Sequence, residues 1–284
     1  MIITTLHHTL DLNARVHVMG ILNVTPDSFS DGGRLNSEQD ILNQAETMVK
    51  DGADILDIGG ESTRPFAEAV AVDEEINRVI PAITAIRKHF TTPISIDTTK
   101  AEVARQALEA GADIINDISA FHHDSEIIDV ALKFDAPVII MHMQGTPRTM
   151  QVNPSYDDVI GEIRTYLAER LKWAERKGLS RKKIIVDPGI GFGKTIGHNL
   201  TILKNLSEFS SLGCPILVGH SRKAFIGALL DIKDPSSRDN ATSVLSALCV
   251  QSGVSILRVH DVGKTVQAVQ LTEAMMNGQL TIDN

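Results

Sequence analysis

Short apolar runs recur eight times along the 284-residue chain, and their regular return constrains the fold more than any other feature. In order, they are HVMGILN (17–23), ADILDIGG (53–60), PISIDT (93–98), ADIINDI (112–118), PVIIMHM (137–143), KIIVDPG (183–189), PILVGHS (215–221) and SILRVHD (255–261). Segments with helical spacing lie between them, and several end at a glycine, such as Gly52, Gly111 and Gly253. The pattern is strand, loop, helix and glycine, repeated.

Near-continuous apolar strands joined by helices predict a parallel sheet that is covered on both sides. Eight such units favour an α/β fold of the closed (β/α)8 TIM-barrel type, and the 43% apolar content is sufficient for its large core. A doubly wound open sheet is the alternative that the periodicity also allows. No linker-like stretch or shift in composition divides the chain, so we expect a single domain over residues 1–284.

The charge balance and the cysteines exclude several classes of protein. Lys and Arg number 27 against 36 Asp and Glu, and a net charge of −9 argues against a nucleic-acid partner. Cys214 and Cys249 form no CxxC motif, so neither a disulfide framework nor a zinc site is indicated. No signal peptide is recognisable, and no apolar run approaches the roughly 18 residues that span a bilayer. We therefore expect a soluble, cytoplasmic protein with no membrane partner.

Polar residues follow every one of the eight apolar runs on its carboxyl side. They are Asn23; Glu61, Ser62, Thr63 and Arg64; Asp97; Asn116 and Asp117; His142 and Gln144; Asp187; Ser221, Arg222 and Lys223; and Arg258 and His260. In a (β/α)8 barrel the carboxyl ends of all strands meet on one face, where active sites are built. These residues are therefore predicted to converge in space.

Three of these polar residues lie within or close to the apolar part of their strands. A single aspartate at a strand end is often only a turn or cap residue. An unpaired carboxylate or amide at Asp97, Asn116 or Asp187 would nevertheless be costly to bury. A buried ligand rich in N–H donors would supply the partner. Lys223 or Arg258 could instead satisfy them from within the barrel, and both arrangements could alternate between the filled and the empty site.

Two further motifs indicate ligand contacts. In GHSRK, Ser221 is predicted to cap a helix that begins at Arg222, and its hydroxyl with the first free N–H groups would form an anion seat. Arg258 and His260, with Arg64, could form a second one. DPGIGFGKT (187–195) has Pro188 where a Walker loop needs glycine, so we expect a flexible loop that wraps a ligand, with Phe192 as an exposed apolar wall.

Together, NVTPDSFSDGG, GGESTRP, SIDTTK, IINDISA, MHMQGTPRTMQ, DPGIGFGKT, GHSRK and RVHDV resemble the dihydropteroate synthase family, the pterin-binding (β/α)8 enzymes of folate synthesis. The resemblance covers residues 16–273. It implies a transferase that joins 6-hydroxymethyl-7,8-dihydropterin pyrophosphate to p-aminobenzoate, with dihydropteroate and pyrophosphate as products and with sulfonamides as inhibitors. It also implies a homodimer formed through barrel helices.

The resemblance assigns roles to individual residues, and it implies three groups of them. The pterin ring would contact Asp97, Asn116, Asp187, Lys223 and Arg258; the pyrophosphate would contact Arg258, His260 and, through Mg²⁺, Asn23; and p-aminobenzoate would contact Phe29, Thr63, Arg64, Pro65, Phe192, Ser221 and Arg222. Among these, Asn23, Asp97, Lys223, Arg258 and His260 would be catalytic. Residues 24–33 would close over the reactants as a lid, together with the STRP loop.

The expected chemistry follows from the reactants. Because an arylamine is a weak nucleophile, activating the electrophile serves better than a strong base. Mg²⁺ and cationic side chains would stabilise the departing pyrophosphate, and the electron-rich dihydropterin would spread the positive charge left on its methylene carbon. We therefore expect the pyrophosphate to leave before the amine attacks.

One residue departs from the family pattern. The family usually follows ESTRP with glycine, where this chain has Phe66. If that glycine takes a positive φ, phenylalanine must shift the turn, which bears on sulfonamide sensitivity.

Two alternative functions remain. One is a methyltransferase of the same barrel superfamily, which passes a methyl group from methyltetrahydrofolate to a corrinoid, and the other is a non-catalytic pterin-binding paralogue. The first would not need SRK or RVHD, and Phe66 alone supports the second.

Overall fold

Eight parallel strands form a closed wall in the computed structural model, which describes residues 2–5, 7–24, 38–63 and 67–278. The wall consists of β3 (His17–Asn23), β4 (Ile55–Gly59), β5 (Ile94–Asp97), β6 (Ile114–Asp117), β7 (Val138–Met141), β8 (Ile184–Asp187), β9 (Leu217–Val218) and β10 (Ile256–Val259). Their spatial order is β8-β7-β6-β5-β4-β3-β10-β9, and a parallel bridge between Val186 and Ile216 closes the circle. All eight predicted strands are confirmed, and closure excludes the open sheet.

A helix follows each strand of the wall, as the sequence predicts for a (β/α)8 barrel. The helices are α1 (Glu38–Lys50), α2 (Val72–His89), α3 (Ala101–Glu109), α4 (Ile127–Phe134), α5 (Val159–Arg176), α6 (Ile196–Lys204), α7 (Ala224–Leu230), α8 (Asp239–Gln251) and α9 (Val262–Asn277). Both α7 and α8 follow β9. Gly52, Gly111 and Gly253 have positive φ angles of 96°, 112° and 79° after α1, α3 and α8, which confirms their predicted place at helix ends.

A short antiparallel hairpin precedes the barrel and was not predicted. It pairs β1 (Ile2–Thr4) with β2 (Thr9–Asp11). Its apolar side chains belong to a buried cluster with one residue from most of the barrel strands: Ile3, Leu10, Leu12, Met19, Ile55, Ile114, Ile139, Ile185, Leu217 and Ile256. Because these residues lie towards the amino ends of their strands, the hairpin closes that mouth of the barrel. A ligand would therefore enter the barrel from the opposite face, at the carboxyl ends of the strands.

Candidate active site

Four of the polar residues predicted at the strand ends meet at the carboxyl-terminal face of the barrel: Asp97, Asn116, Asp187 and Arg258. Asp97 and Asn116 occupy paired positions on β5 and β6, and they are only 8% and 4% exposed. Asp187, the last residue of β8, is 6% exposed. A Cβ atom at Gly219 would lie 3.9 Å from Asp187 Oδ2 and 3.9 Å from the side chain of Arg258, so both groups border the same space.

Asp57 belongs to this cluster and was missed in the sequence. It is fully buried in β4, where its two carboxylate oxygens lie 3.5 and 3.4 Å from Asn116 Nδ2. Because Asp57 stands inside the apolar run ADILDIGG, it looks like part of a strand and not like a strand end. The available signal was a carboxylate within an apolar strand, which needs a partner.

Arg258 supplies that partner, and it pairs with a second carboxylate as well. Its Nε donates to Asp57 over 2.6 Å, and its Nη2 donates to Asp97 over 2.6 Å. Burial alone would lower the pKa of Arg258, but the two carboxylates outweigh burial and raise the pKa, so the guanidinium stays charged. The prediction that Arg258 could satisfy a carboxylate from within the barrel is confirmed for Asp97.

Three ionisable groups of this site, Asp97, Asp187 and Lys223, have pKa values that are shifted towards neutral pH. Burial raises the pKa of Asp97 to about 7, although Arg258 partly opposes the shift. Burial also raises the pKa of Asp187 to about 6, against the hydrogen bond that Gly189 N donates to it over 2.7 Å. Burial and the charge of Arg258 lower the pKa of Lys223 to about 8. Shifts of this kind, produced by burial and opposing charges in a cleft, are typical of functional sites.

The loop after β8, which was expected to be flexible, is anchored by hydrogen bonds on both sides. Gly191 N donates to Asn199 Oδ1 over 2.7 Å, and Gln151 Nε2 donates to Gly191 O over 2.7 Å. The hydroxyl of Tyr156 donates to Gly193 O over 2.8 Å. These contacts come from α6 and from the segment before α5, so neighbouring elements hold the loop in place.

Phe192, at the tip of this loop, is buried and not exposed as predicted. Only 7% of it is exposed, because the ring packs with Ile118, Met141 and Met150. Lys223 Nζ lies 4.0 Å from the centroid of the ring, a distance suited to a cation–π contact. The Phe192 ring therefore contacts both the apolar side chains around it and the ammonium of Lys223.

Lys194 connects the loops that follow β7 and β8. It is 3% exposed, and its Nζ donates to Phe192 O over 2.8 Å and to His142 O over 3.3 Å. The same ammonium lies 3.1 Å from His142 Nδ1. Burial lowers the pKa of Lys194 to about 7. Nothing in the local sequence indicates that Lys194 is buried, because lysine in a glycine-rich loop usually reaches solvent.

Ser221 does not cap a helix, so the predicted anion seat at a helix terminus was wrong. Helix α7 begins at Ala224, and Arg222 has a positive φ of 57°, which a helix cannot include. The Ser221 hydroxyl instead lies 2.9 Å from His260 Nδ1 and accepts a hydrogen bond from His260 N over 3.1 Å. The serine is thus directed across the pocket mouth to the residue after β10.

Arg222 is paired inside the protein. Its Nε and Nη2 each donate over 2.7 Å to the two carboxylate oxygens of Asp239, the first residue of α8. Its backbone N donates to Thr242 Oγ1 over 3.2 Å. These tertiary contacts hold residue 222 in the left-handed conformation that stops α7 from starting earlier.

Asn23 borders the site at the end of β3, and Thr63 lies in the segment that follows β4. Both are partly exposed, and Asn23 is the last residue of β3. A Cβ atom at Gly59 would lie 3.7 Å from Asn23 Oδ1 and 3.5 Å from Asp97 Cβ, so both side chains border this position. Phe29, Arg64, Pro65, Phe66 and the lid positions 25–33 lie outside the residues that the structure describes. Over the described part of the chain, no three His, Cys, Asp or Glu side chains are grouped to hold a metal ion.

The closed barrel, with buried carboxylates and an amide at its carboxyl-terminal face, defines a (β/α)8 protein, and comparison with known families specifies its class. The family model described as "Pterin binding enzyme" matches residues 19–260. The chain belongs to this family.

Similar proteins and solved structures are named dihydropteroate synthases. The dihydropteroate synthase of Synechocystis sp. is 50% identical over 265 residues, which cover 93% of this chain and 92% of that protein. The structure of Yersinia pestis dihydropteroate synthase in a sulfonamide drug complex is 42% identical with a TM-score of 0.93, covering 98% of this chain and 100% of that one. The Xanthomonas albilineans dihydropteroate synthase with 4-aminobenzoic acid is 41% identical with a TM-score of 0.90, covering 97% and 98%.

None of the helices within the described ranges is both long and apolar enough to cross a membrane. The cytoplasmic location stays a prediction from the sequence.

Proposed function

We propose that the protein is a dihydropteroate synthase, which joins 6-hydroxymethyl-7,8-dihydropterin pyrophosphate to p-aminobenzoate. The observation that carries this proposal is that residues at the carboxyl end of β10 contact both the buried pocket and its mouth. Arg258 contacts Asp57 and Asp97 in the buried pocket, and two residues later His260 contacts Ser221 at the mouth. A ring pocket and an anion site are therefore contiguous, as a pterin pyrophosphate requires. Residues 16–273 would form the pterin-binding core.

The pterin ring would occupy the buried end of the site. Its amino and ring N–H groups are donors that match the acceptors of Asp97 and Asp187, and Asn116 can both donate and accept. Charge-assisted hydrogen bonds of this type are roughly twice as strong as neutral ones. Lys223 would approach an acceptor edge of the ring. Arg258 would exchange part of its contact with Asp97 for the face of the ring and the pyrophosphate.

In the reaction, the aryl amine nitrogen forms a bond to the methylene carbon of the pterin, and the bond from that carbon to the pyrophosphate oxygen breaks. The bonding pair leaves with the pyrophosphate, and the proton that the amine loses passes to the departing pyrophosphate or to water. Arg258 and His260 would stabilise the charge on the leaving group. The carboxylates of Asp97 and Asp187 would favour positive charge on the pterin, which supports early departure of pyrophosphate.

The border of the site at the end of β3 suits a bound Mg²⁺. Asn23 offers one hard oxygen ligand, and its Oδ1 borders the position of Gly59 near Asp97. Mg²⁺ typically keeps several waters and takes only one or two protein oxygens in addition to substrate phosphates. Asn23 would therefore hold the ion against the pyrophosphate, and the bound ion would neutralise charge on the leaving group.

The second substrate, p-aminobenzoate, would be surrounded by Thr63, Phe192, Ser221 and Arg222, with Phe29, Arg64 and Pro65. Sulfonamides would compete for the same place.

An exposed apolar patch on α8 and α9 supports the proposed homodimer. We define it by Val244 and Leu248 on α8 and by Leu271 and Met275 on α9; each pair is spaced i, i+4, and the residues are 54 to 73% exposed. The two helices pack side by side. Apolar patches of this kind often mark protein interfaces.

A direct assay tests the function. Purified protein is mixed with the dihydropterin pyrophosphate, p-aminobenzoate and Mg²⁺, and dihydropteroate and pyrophosphate are both measured. We expect equal amounts of the two products, nearly complete loss with Asp97→Asn, and normal activity with Asp129→Asn, which changes an exposed aspartate on α4. Pterin binding without product would instead support the non-catalytic paralogue.

A further inference from the structure

Ser221 and His260 make two contacts with each other across the mouth of the site. Ser221 lies in the loop between β9 and α7 and is 5% exposed, and His260 directly follows β10. The serine Oγ is 2.9 Å from the ring nitrogen Nδ1 and 3.1 Å from the backbone N of the same histidine. One hydroxyl therefore contacts both the ring and the backbone of one residue, which fixes the ring's orientation.

The Ser221 hydroxyl can both accept and donate a hydrogen bond. The backbone N–H of His260 can only donate, so Ser221 Oγ accepts that bond. The hydroxyl keeps one proton, and His260 Nδ1, 2.9 Å away, is an acceptor within its reach. When the hydroxyl donates this proton to Nδ1 of a neutral imidazole, Nδ1 carries no proton and the ring proton lies on Nε2.

We infer that Ser221 is a positioning residue for His260: its hydroxyl holds the neutral ring in the Nε2–H tautomer and fixes its orientation at the anion side of the site. The inference rests on the proposed function, in which His260 contacts the pyrophosphate. A fixed Nε2–H is a donor suited to a phosphate oxygen. Ser221 would therefore influence pyrophosphate binding through His260, in addition to any contact with p-aminobenzoate.

Three variants separate this role from a general structural one. Ser221→Ala removes the hydroxyl, leaves Nδ1 without its donor and allows both tautomers. Ser221→Thr keeps a hydroxyl on the same carbon and should restore the wild-type tautomer. His260→Gln identifies the signals of His260 among those of the ten histidines by their disappearance.

The test is long-range ¹H–¹⁵N NMR of ¹⁵N-histidine-labelled protein, without substrates, at a pH where the ring is neutral. We expect the Nε2–H tautomer of His260 in wild type and in Ser221→Thr, and averaged shifts for both nitrogens in Ser221→Ala. An Nδ1–H tautomer in wild type, or an unchanged tautomer in Ser221→Ala, would overturn the inference. Because this readout needs no turnover, it is independent of whether the synthase assay succeeds.

Calorimetry with inorganic pyrophosphate and Mg²⁺ gives a second measurement. Loss of one positioned hydrogen bond should weaken pyrophosphate binding by roughly tenfold in Ser221→Ala, and Ser221→Thr should recover most of it. Equal pyrophosphate affinity in wild type and Ser221→Ala would show that the hydroxyl does not act through His260.

Discussion

Arg258 Nε donates a hydrogen bond over 2.6 Å to the carboxylate of Asp57, which lies 201 residues earlier in the chain and is fully buried. Removing one partner of a buried ion pair is costly because the other charge stays behind. We expect Asp57→Ala to lower the free energy of unfolding by about 3 kcal/mol, because Arg258 keeps Asp97 as its second partner. Urea unfolding measures the change, with the exposed Asp129→Ala as the control. Equal stability of the two variants would contradict a structural role for the pair.

The raised pKa of Asp97 predicts how pterin binding depends on pH. The ionised carboxylate is the form that accepts N–H donors from the ring, and its pKa in the free protein is about 7. Below that pH, binding must first remove a proton, so affinity should fall as the pH decreases and should level off above about 7. Calorimetry with 6-hydroxymethylpterin from pH 5.5 to 8.5 measures the slope. Asp97→Asn serves as the control for titration of the ligand itself, and equal slopes in the two proteins would assign the effect to another group.

Gly189 supports the turn after β8 because it has no side chain. Its φ is 73°, and a Cβ atom there would lie 1.9 Å from His142 O. Gly213 is the matched control, since its φ is 69° and nothing lies within 4 Å of the same position. We expect Gly213→Ala to cost about 1 to 2 kcal/mol of stability from backbone strain alone. Gly189→Ala should lower Tm much further, and similar Tm values would show that the turn can shift to accept a methyl group.

Lys194 should affect p-aminobenzoate more than the pterin substrate, because it holds the backbone of Phe192. Lys194→Met keeps the length of the chain but loses the donors to Phe192 O and His142 O. We expect KM for p-aminobenzoate to rise roughly tenfold with a smaller change for the pterin pyrophosphate. Steady-state kinetics measure both, with the exposed Lys172→Met as the control. An equal rise in the two KM values would indicate a disturbance of the whole site.

The apolar patch on α8 and α9 predicts that one charge should prevent self-association. Leu248, which is 54% exposed, lies in this patch, and Leu248→Glu would bury an unpaired carboxylate in a dimer interface. We expect a dimer for wild type and a monomer for the variant in sedimentation experiments. Leu132→Glu on α4 is the control, because that leucine is exposed outside the patch. A variant that stays dimeric would place the interface elsewhere.

The sequence predicts the barrel well because eight buried strands produce eight apolar runs, each followed by polar residues. The hairpin of β1 and β2 was missed because strands of three residues show no periodicity. Asp57 was missed because its neighbours Leu56 and Ile58 make it part of an apolar run. The cap assigned to Ser221 was wrong because Asp239 and Thr242, far along the chain, hold Arg222 in a left-handed conformation. The sequence around Ser221 does not indicate these tertiary contacts of Arg222.

The pairing of β3 with β10 joins early and late parts of the chain, with His17 beside Ile256 and Gly20 beside Val259. During synthesis, the wall can therefore close only after residue 259 has left the ribosome. Until then, Asp57 and Asp97 have no Arg258 and must remain in contact with water, because an unpaired buried carboxylate is costly. Pairings between such distant segments form slowly. The chamber for the substrates is thus completed near the end of folding, after most of the protein that surrounds it has been made.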